Sequence, residues 1–311
     1  MSNRSDVANE LSPDQRRRFP EQIVRKKAEL SQSFPSPSAQ QRLRSPDCIQ
    51  PGIEAAKSLV KLHTADAKPP LFCVHGLGGH VAAFLPLAVH PVIGRTVYAF
   101  QGRGLEANQR PHDSIEAMAT CYLEEMRGVQ QRGPYLLAGW SMGGLIAMEL
   151  VRRLEELGQR VAMLILFDTH LSDAQRSVCA LDDASVMNWI APHVEIPPDQ
   201  LRALPQKQQW EVIAEQASRS EGIDAVEVCR LANVCKSHWA AISRHEPKPY
   251  RGESVLFQAA IPDLKLEGQW KSLCPRFHAE QTPGDHYSML RPPNVDALAK
   301  RVGFHLSGRD R

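Results

Sequence analysis

The chain has 311 residues, of which 42% are hydrophobic, long enough for one large α/β domain with an appendage and a substantial buried core. With 37 Lys+Arg against 35 Asp+Glu and a sequence pI near 8.2, it lacks the basic excess of a general nucleic-acid binder. Its apolar runs all fall short of a transmembrane span, and Met1-Ser2-Asn3-Arg4-Ser5-Asp6 lacks the apolar core of a secretory signal.

Residues 1–66 read as a polar N-terminal extension. Its first 50 residues hold nine Lys+Arg against six Asp+Glu. Ser12-Pro13-Asp14-Gln15 has the order of an N-cap, N1 proline and capping box, and Pro20 interrupts the short helix that would start there. Phe34-Pro35-Ser36-Pro37-Ser38 reads as linker, and Arg16-Arg17-Arg18 as a solvated face. The whole segment is read either as a tail or as a docking segment for a partner. Leu59-Val60-Lys61-Leu62 reads as a short strand.

Leu71-Phe72-Cys73-Val74 is a compact apolar strand that runs into His75-Gly76-Leu77-Gly78-Gly79. That places a glycine-rich turn at the C-terminal end of a strand, where α/β sheets carry their sites. Leu77 or Gly78 is the candidate for a backbone N–H that holds a developing oxyanion, and His75 is read as shaping the loop. Thr96–Phe100 is the next strand. Ser114 caps a helix with an apolar stripe at Ile115, Met118, Ala119, Tyr122, Leu123 and Met126. Asp113-Ser114-Ile115 matches a phosphopantetheine attachment triplet superficially, but its place at a helix start within the sheet domain argues against that role.

Tyr135–Ala138 is an apolar strand leading into Gly139-Trp140-Ser141-Met142-Gly143, a G-x-S-x-G sequence followed by an amphipathic helix. A strand that turns sharply into a helix around such a serine lifts its hydroxyl above the sheet edge. The flanking positions have no room for a Cβ, which Gly139 and Gly143 satisfy. The helix start supplies the N–H of Met142 as one oxyanion donor. Gly158 reads as the residue ending that helix. Val161–Phe167 is a near-continuous apolar run, the pattern of a parallel strand covered on both faces, and it ends in Asp168.

From 171 to 249 the pattern is helical with proline interruptions, and it reads as a lid over the site. Trp189, Trp210 and Trp239 fit lid packing, and Cys229 and Cys235 fit no redox motif. The seven cysteines are odd in number and irregular in spacing, which fits free thiols in a reducing compartment. With neither C-x-x-C nor H-E-x-x-H present, no metal is expected. Ser254–Ala259 resumes the sheet, Phe277–Gln281 is the last strand, His286 follows it in a loop, and Val295–Leu306 closes the chain as a helix. The expectation is an α/β protein, cytoplasmic, without membrane or nucleic-acid partners.

Ser141, Asp168 and His286 occur in the chain order of elbow-type serine hydrolases, each just beyond a strand's C-terminal end. His286 would take the serine proton, Asp168 would orient the imidazole, and Met142 and Leu77 would hold the oxyanion. Asp263, beyond Ser254–Ala259, competes with Asp168 for the acid role, because many such hydrolases carry their acid after that later strand.

Four stretches resemble the thioesterase domains that end nonribosomal peptide and polyketide synthetases. They are Lys68–Gly79, Gly133–Gly144 with Gly-Pro-Tyr before Gly-Trp-Ser-Met-Gly-Gly, Leu164–Asp168 and Pro283–Leu290. The resemblance runs from about Leu59 to Leu306. It implies the α/β-hydrolase fold over 67–309, a mobile helical lid at 171–249, and Asp168 as the acid. It also implies a Ser141 acyl-enzyme and a substrate carried as a thioester on the phosphopantetheine of an acyl or peptidyl carrier protein or parent synthetase, with no cofactor of the domain's own. Hydrolysis and cyclisation are both open outcomes. The alternative reading is a serine hydrolase or acyltransferase acting on a small ester, amide or acyl-coenzyme A. A third is a binding protein that keeps the fold without turnover. The family's domain usually follows a carrier domain. Residues 1–66 carry no carrier motif, so the chain is expected to be free-standing or a piece of a longer one.

Overall fold

A computed structural model describes residues 57–65, 68–106, 109–171, 198–205, 208–209, 212, 225–260 and 266–309. The chain divides into two compact units, one of residues 58–182 and 230–311 and the other of 1–57 and 183–229. The first holds a seven-stranded sheet in the order β1-β3-β2-β4-β5-β6-β7. Its strands are β1 (Leu59–His63), β2 (Leu71–Val74), β3 (Val97–Phe100), β4 (Tyr135–Trp140), β5 (Val161–Phe167), β6 (Ser254–Ala259) and β7 (Phe277–Thr282). β1 pairs antiparallel with β3, and every other pairing is parallel. The mostly parallel sheet is the α/β architecture read from the sequence.

Parallel strands covered on both faces need continuous apolar sequence. Accordingly β2 and β4 are buried at every position, and β5 at every position after Val161. The helices are α1 (Leu85–Ala88), α2 (Ile115–Val129), α3 (Met142–Glu156), α4 (Pro198–Arg202), α5 (Ala225–Arg244), α6 (Leu266–Leu273) and α7 (Asn294–Leu306). On one face, Phe72, Val74, Leu137, Leu164 and Leu166 join the apolar stripes of α2 and α3 in the main core. On the other, Phe167 meets Phe84, just before α1, and Phe257 meets His305 of α7.

The helix signals read from the sequence act locally as expected. The Ser114 hydroxyl accepts the Ala117 N–H at 3.2 Å and caps α2, and Ile115, Met118, Ala119, Tyr122 and Met126 are all buried. Gly158 adopts φ +66° just past α3, and the Gln159 N–H reaches back to the Leu154 carbonyl.

Two boundaries need correction or restriction. Leu59–His63, counted within the 1–66 extension, is an edge strand of the sheet. Its backbone N–H groups at Ser58 and Leu59 donate to the Glu125 carboxylate of α2 at 3.0 and 2.6 Å, which fastens its start. Its residues are intermediate or exposed rather than buried, so its short strand signal does not by itself tie it to the sheet. In the segment 171–249, the described residues include α4 and α5, both helical. Trp189, Trp210 and residues 1–56, and with them the polar tail and most of the lid, lie outside the described residues. α5 begins in the smaller unit and from Arg230 belongs to the sheet unit. Among the described residues no helix is long and apolar enough to cross a membrane.

Candidate functional site

The parallel register brings the strand ends level. Val74 pairs with Gly139, Trp140 with Phe167 and Phe167 with Phe257. The next residues along each strand, His75, Ser141 and Asp168, therefore leave the same edge side by side. β2 lies between β3 and β4, so the chain reverses its direction of growth across the sheet beside β2. Ligand crevices of open α/β sheets form at such a switch point.

The elbow is built by close approach. A Cβ on Gly139 would overlap the Gly143 carbonyl, and one on Gly143 would overlap the carbonyls of Val74 and His75. Both positions therefore require glycine, and the strand can turn into α3 within one residue. Ser141 takes φ 57° and ψ −125°, a conformation that costs a residue with a side chain about 1–3 kcal/mol. Its N–H donates to the Phe167 carbonyl at 2.9 Å, which extends the β4–β5 ladder and holds the turn in place. Met142 is the first residue of α3, where an N–H has no intrahelical partner. The Ser141 hydroxyl has no hydrogen-bond partner among the described residues.

Asp168 follows β5 directly, with φ 44° and 2% exposure. One carboxylate oxygen, Oδ1, accepts the Ala259 N–H at 3.0 Å, and its own N–H continues the ladder to Phe257. The other, Oδ2, receives His286 Nδ1–H at 2.6 Å. Burial by itself disfavours the charged carboxylate, but hydrogen bonds from His170 and His286, and the attraction of either ring when protonated, hold Asp168 well below the ordinary range.

His286 sits in the loop after β7. Asp285 Oδ1 shapes that loop by accepting the N–H groups of Tyr287 and Ser288 and the Ser288 hydroxyl. Trp140 supports it from below. Its indole N–H donates to the His286 carbonyl at 3.0 Å, and its ring lies 5.5 Å from the imidazole. The tryptophan in Gly-Trp-Ser thus links the serine turn to the histidine loop.

The structure brings the sequence-predicted Asp168 and His286 into direct contact and sets Ser141 and Met142 at the same edge. Leu77 lies in the turn after β2. Asp263 lies outside the described residues. His75 donates from Nδ1 to the Gly76 carbonyl and accepts the Tyr122 hydroxyl at Nε2, each at 2.7 Å, which is the loop-shaping position.

His170 was missed. Its Nε2 lies 3.4 Å from Asp168 Oδ2, so two imidazoles share one carboxylate oxygen. The signal was Asp168-Thr169-His170, with a second histidine two residues past the acid. Donor atoms of Asp168, His170 and His286 lie within 4.8 Å of one another. A metal ion there would replace the proton between His286 and Asp168. Ligand atoms about 2.0–2.1 Å from one zinc ion stand farther apart than this 2.6 Å hydrogen bond. The arrangement fits a proton-bearing pair better than a metal centre.

A family profile described as a thioesterase domain matches residues 69–304. The dimodular nonribosomal peptide synthase of Bacillus subtilis (strain 168) is 27% identical over 205 residues, covering 65% of this chain and 9% of that protein. The chain thus spans a small fraction of that relative's length. A four-domain nonribosomal peptide synthetase, in its holo form bound to AMP and glycine, superposes with a TM-score of 0.72 and 27% identity. The superposition covers 81% of this chain and 20% of that one. The NocB thioesterase domain from the nocardicin cluster superposes at 0.57 and 22% identity, covering 78% and 95%. That likeness speaks to the fold. The profile match runs from just before β2 into the last turn of α7 and takes in Ser141, Asp168 and His286, and on that extent the chain belongs to the thioesterase-domain family.

Proposed function

We propose that this chain releases an acyl or peptidyl chain from the phosphopantetheine thiol of a carrier protein, through an ester on Ser141. The observation that carries the reading is the buried Asp168 carboxylate receiving His286 Nδ1–H at 2.6 Å beside a serine held in a strained elbow. With its proton committed to Asp168 at Nδ1, the neutral ring offers a lone pair at Nε2, which makes it a base.

In this reading Ser141 Oγ attacks the thioester carbonyl as its proton passes to His286 Nε2. The N–H groups of Met142 and Leu77 hold the resulting oxyanion, and losing one such donor costs about 3–4 kcal/mol in other hydrolases. The tetrahedral adduct collapses with loss of the thiolate, which takes the proton from His286 and leaves as the free thiol. Water, or a nucleophile within the chain, then attacks the Ser141 ester by the same steps in reverse. Serine and histidine supply all the covalent chemistry, so the reaction calls on no cofactor of the domain itself.

The carrier enters from the relatives, which are named as synthetases and which this chain resembles over a small part of their length. A carrier-borne substrate implies a partner carrier domain or parent synthetase, in the cytoplasm, and no membrane or nucleic-acid partner. The test offers one acyl group on a phosphopantetheinyl carrier protein and on coenzyme A side by side. A higher kcat/KM with the carrier supports the proposal. Preference for coenzyme A or for simple esters makes the chain a small-molecule hydrolase instead.

A further inference from the structure

The turn after β2 is held by two stacked histidines from different parts of the chain. His75 ends β2, and His238 comes from α5. Their rings lie 5.0 Å apart and 14° from parallel, and both residues are fully buried. His75 Nδ1 pairs with the Gly76 carbonyl and His238 Nδ1 with the Leu77 carbonyl, each at 2.7 Å. A carbonyl only accepts, so each Nδ1 carries the proton. Burial keeps both rings neutral, with the His238 pKa pushed down to about 4.

A trans peptide is planar, with its C=O and N–H pointing in opposite directions. Fixing the Gly76 carbonyl therefore aims the Leu77 N–H, and fixing the Leu77 carbonyl aims the Gly78 N–H. Both peptide planes that flank Leu77 are pinned. Gly102 makes room for the pair, since a Cβ there would come within 3.0 Å of His238 Cε1 and 3.3 Å of His75 Nε2. α5 is itself anchored near its C-terminal end. Arg244 donates to the Asp113 carbonyl at 2.6 Å, and His245 Nδ1 lies 2.7 Å from the Glu116 carboxylate.

We propose that His238 is a positioning residue for the oxyanion hole: its Nδ1–H holds the Leu77 carbonyl and so fixes the peptide next to the Leu77 N–H that His75 aims, and through it α5 backs the loop holding the tetrahedral intermediate. The role rests on the serine-hydrolase reading above. The imidazole is not simply filler. Its Nε2 is buried with no partner, and an apolar ring would fill the same space without burying a bare nitrogen.

The test compares the full chain with His238→Phe and His238→Asn. Phe keeps a ring and loses the donor. Asn keeps a donor near the Nδ1 position and loses the ring. Substrate is an N-acetylcysteamine thioester, and each variant is also titrated with an alkyl boronic acid, whose adduct with Ser141 places an oxygen in the oxyanion hole. His238→Phe should lower kcat about 10–100-fold, short of the 10²–10³ for removing a donor outright. KM should stay within about twofold, because the interaction matters in the transition state rather than in substrate binding. Boronate affinity should fall with kcat, and His238→Asn should restore kcat to within about threefold of wild type. Wild-type kcat in a folded His238→Phe protein overturns the proposal, as does a folded His238→Asn protein no better than the Phe variant. Should the Phe variant lose its cooperative melt, the Asn variant decides alone: near-normal kcat supports the role, and a loss of tenfold or more, as expected for the Phe protein, overturns it. A fluorophosphonate that labels the wild type but not Ser141→Ala shows that the underlying reading stands whichever way His238 falls. An unlabelled wild type is a failure of that reading, not of the His238 assignment.

Discussion

Replacing Asp168 by Asn is the most informative single change, because the structure fixes which way the amide will face. Oδ1 accepts the Ala259 N–H at 3.0 Å. An amide NH₂ placed there would oppose another donor, so the Asn oxygen stays with Ala259 and its NH₂ turns toward His286. His286 Nδ1 must then accept rather than donate, and its proton moves to Nε2. The nitrogen meant to take the Ser141 proton already holds one. The same substitution in a serine-protease triad costs about 10⁴ in kcat, equivalent to about 5.4 kcal/mol of barrier at 1.36 kcal/mol per tenfold. The backbone should tolerate the change, since Asp168 sits at φ 44°, a region that Asn enters readily. The assay is single-turnover hydrolysis of a soluble thioester, followed by thiol release, with thermal melts to establish folding. Loss of three to five orders of magnitude with an intact melt is expected, on the scale of that triad substitution. Asp263→Asn should change the rate by only a small factor. A folded Asp168→Asn protein within about tenfold of wild type, or a large loss on Asp263→Asn alone, refutes the assignment of the acid.

Other outcomes rest on the same geometry. Ser141→Ala should keep the fold and lose on the order of 10⁵–10⁶ in kcat, checked by steady-state kinetics and by loss of fluorophosphonate labelling. Gly143→Ala drives a methyl into the carbonyls of Val74 and His75, and should destabilise the protein by about 1–3 kcal/mol or more in urea titration. Between about pH 6.5 and 4 an unfolded chain takes up protons that buried His75 and His238 refuse, so stability present above pH 6.5 is lost as the pH falls through that window. The slope approaches about 1.4 kcal/mol per pH unit for each group, and His238→Phe should be measurably shallower in melts across that range. Deleting residues 1–50 leaves β1 in place and should leave hydrolysis of a small soluble thioester nearly unchanged, while a fall in the rate on a carrier-bound acyl group would identify the segment as a docking element.

The serine turn was legible because its constraints are local. Gly139 and Gly143 admit no Cβ, and a strand pattern before them with a helix pattern after leaves one geometry. Asp168 was legible because Val161–Phe167 is apolar without interruption, so the next residue has to lie at the sheet edge. His286 was legible as the histidine just beyond the last strand. β1 was read as a strand but assigned to the extension, since an edge strand needs little apolar burial and its residues are intermediate or exposed. His170 and His238 were not legible as parts of the site. The first follows Asp168 in a stretch with no periodicity. The second lies on a helix, where a histidine facing inward reads as packing. Its place comes from a contact 161 positions away in sequence with the Leu77 carbonyl. Contacts of that range come from the tertiary fold, and neither spacing nor composition records them.

The central claim is that an acyl group passes from a carrier thiol to Ser141. Intact-mass analysis of the chain after rapid mixing with an acyl-loaded carrier protein tests it most directly, with peptide mapping of any adduct and Ser141→Ala run in parallel. The account predicts a transient mass increase equal to the acyl group, mapped to Ser141, absent from the Ala variant, and decaying as free acid or cyclised product appears. Turnover of the carrier by the wild type with no adduct at any time, or equal turnover by Ser141→Ala, would contradict it.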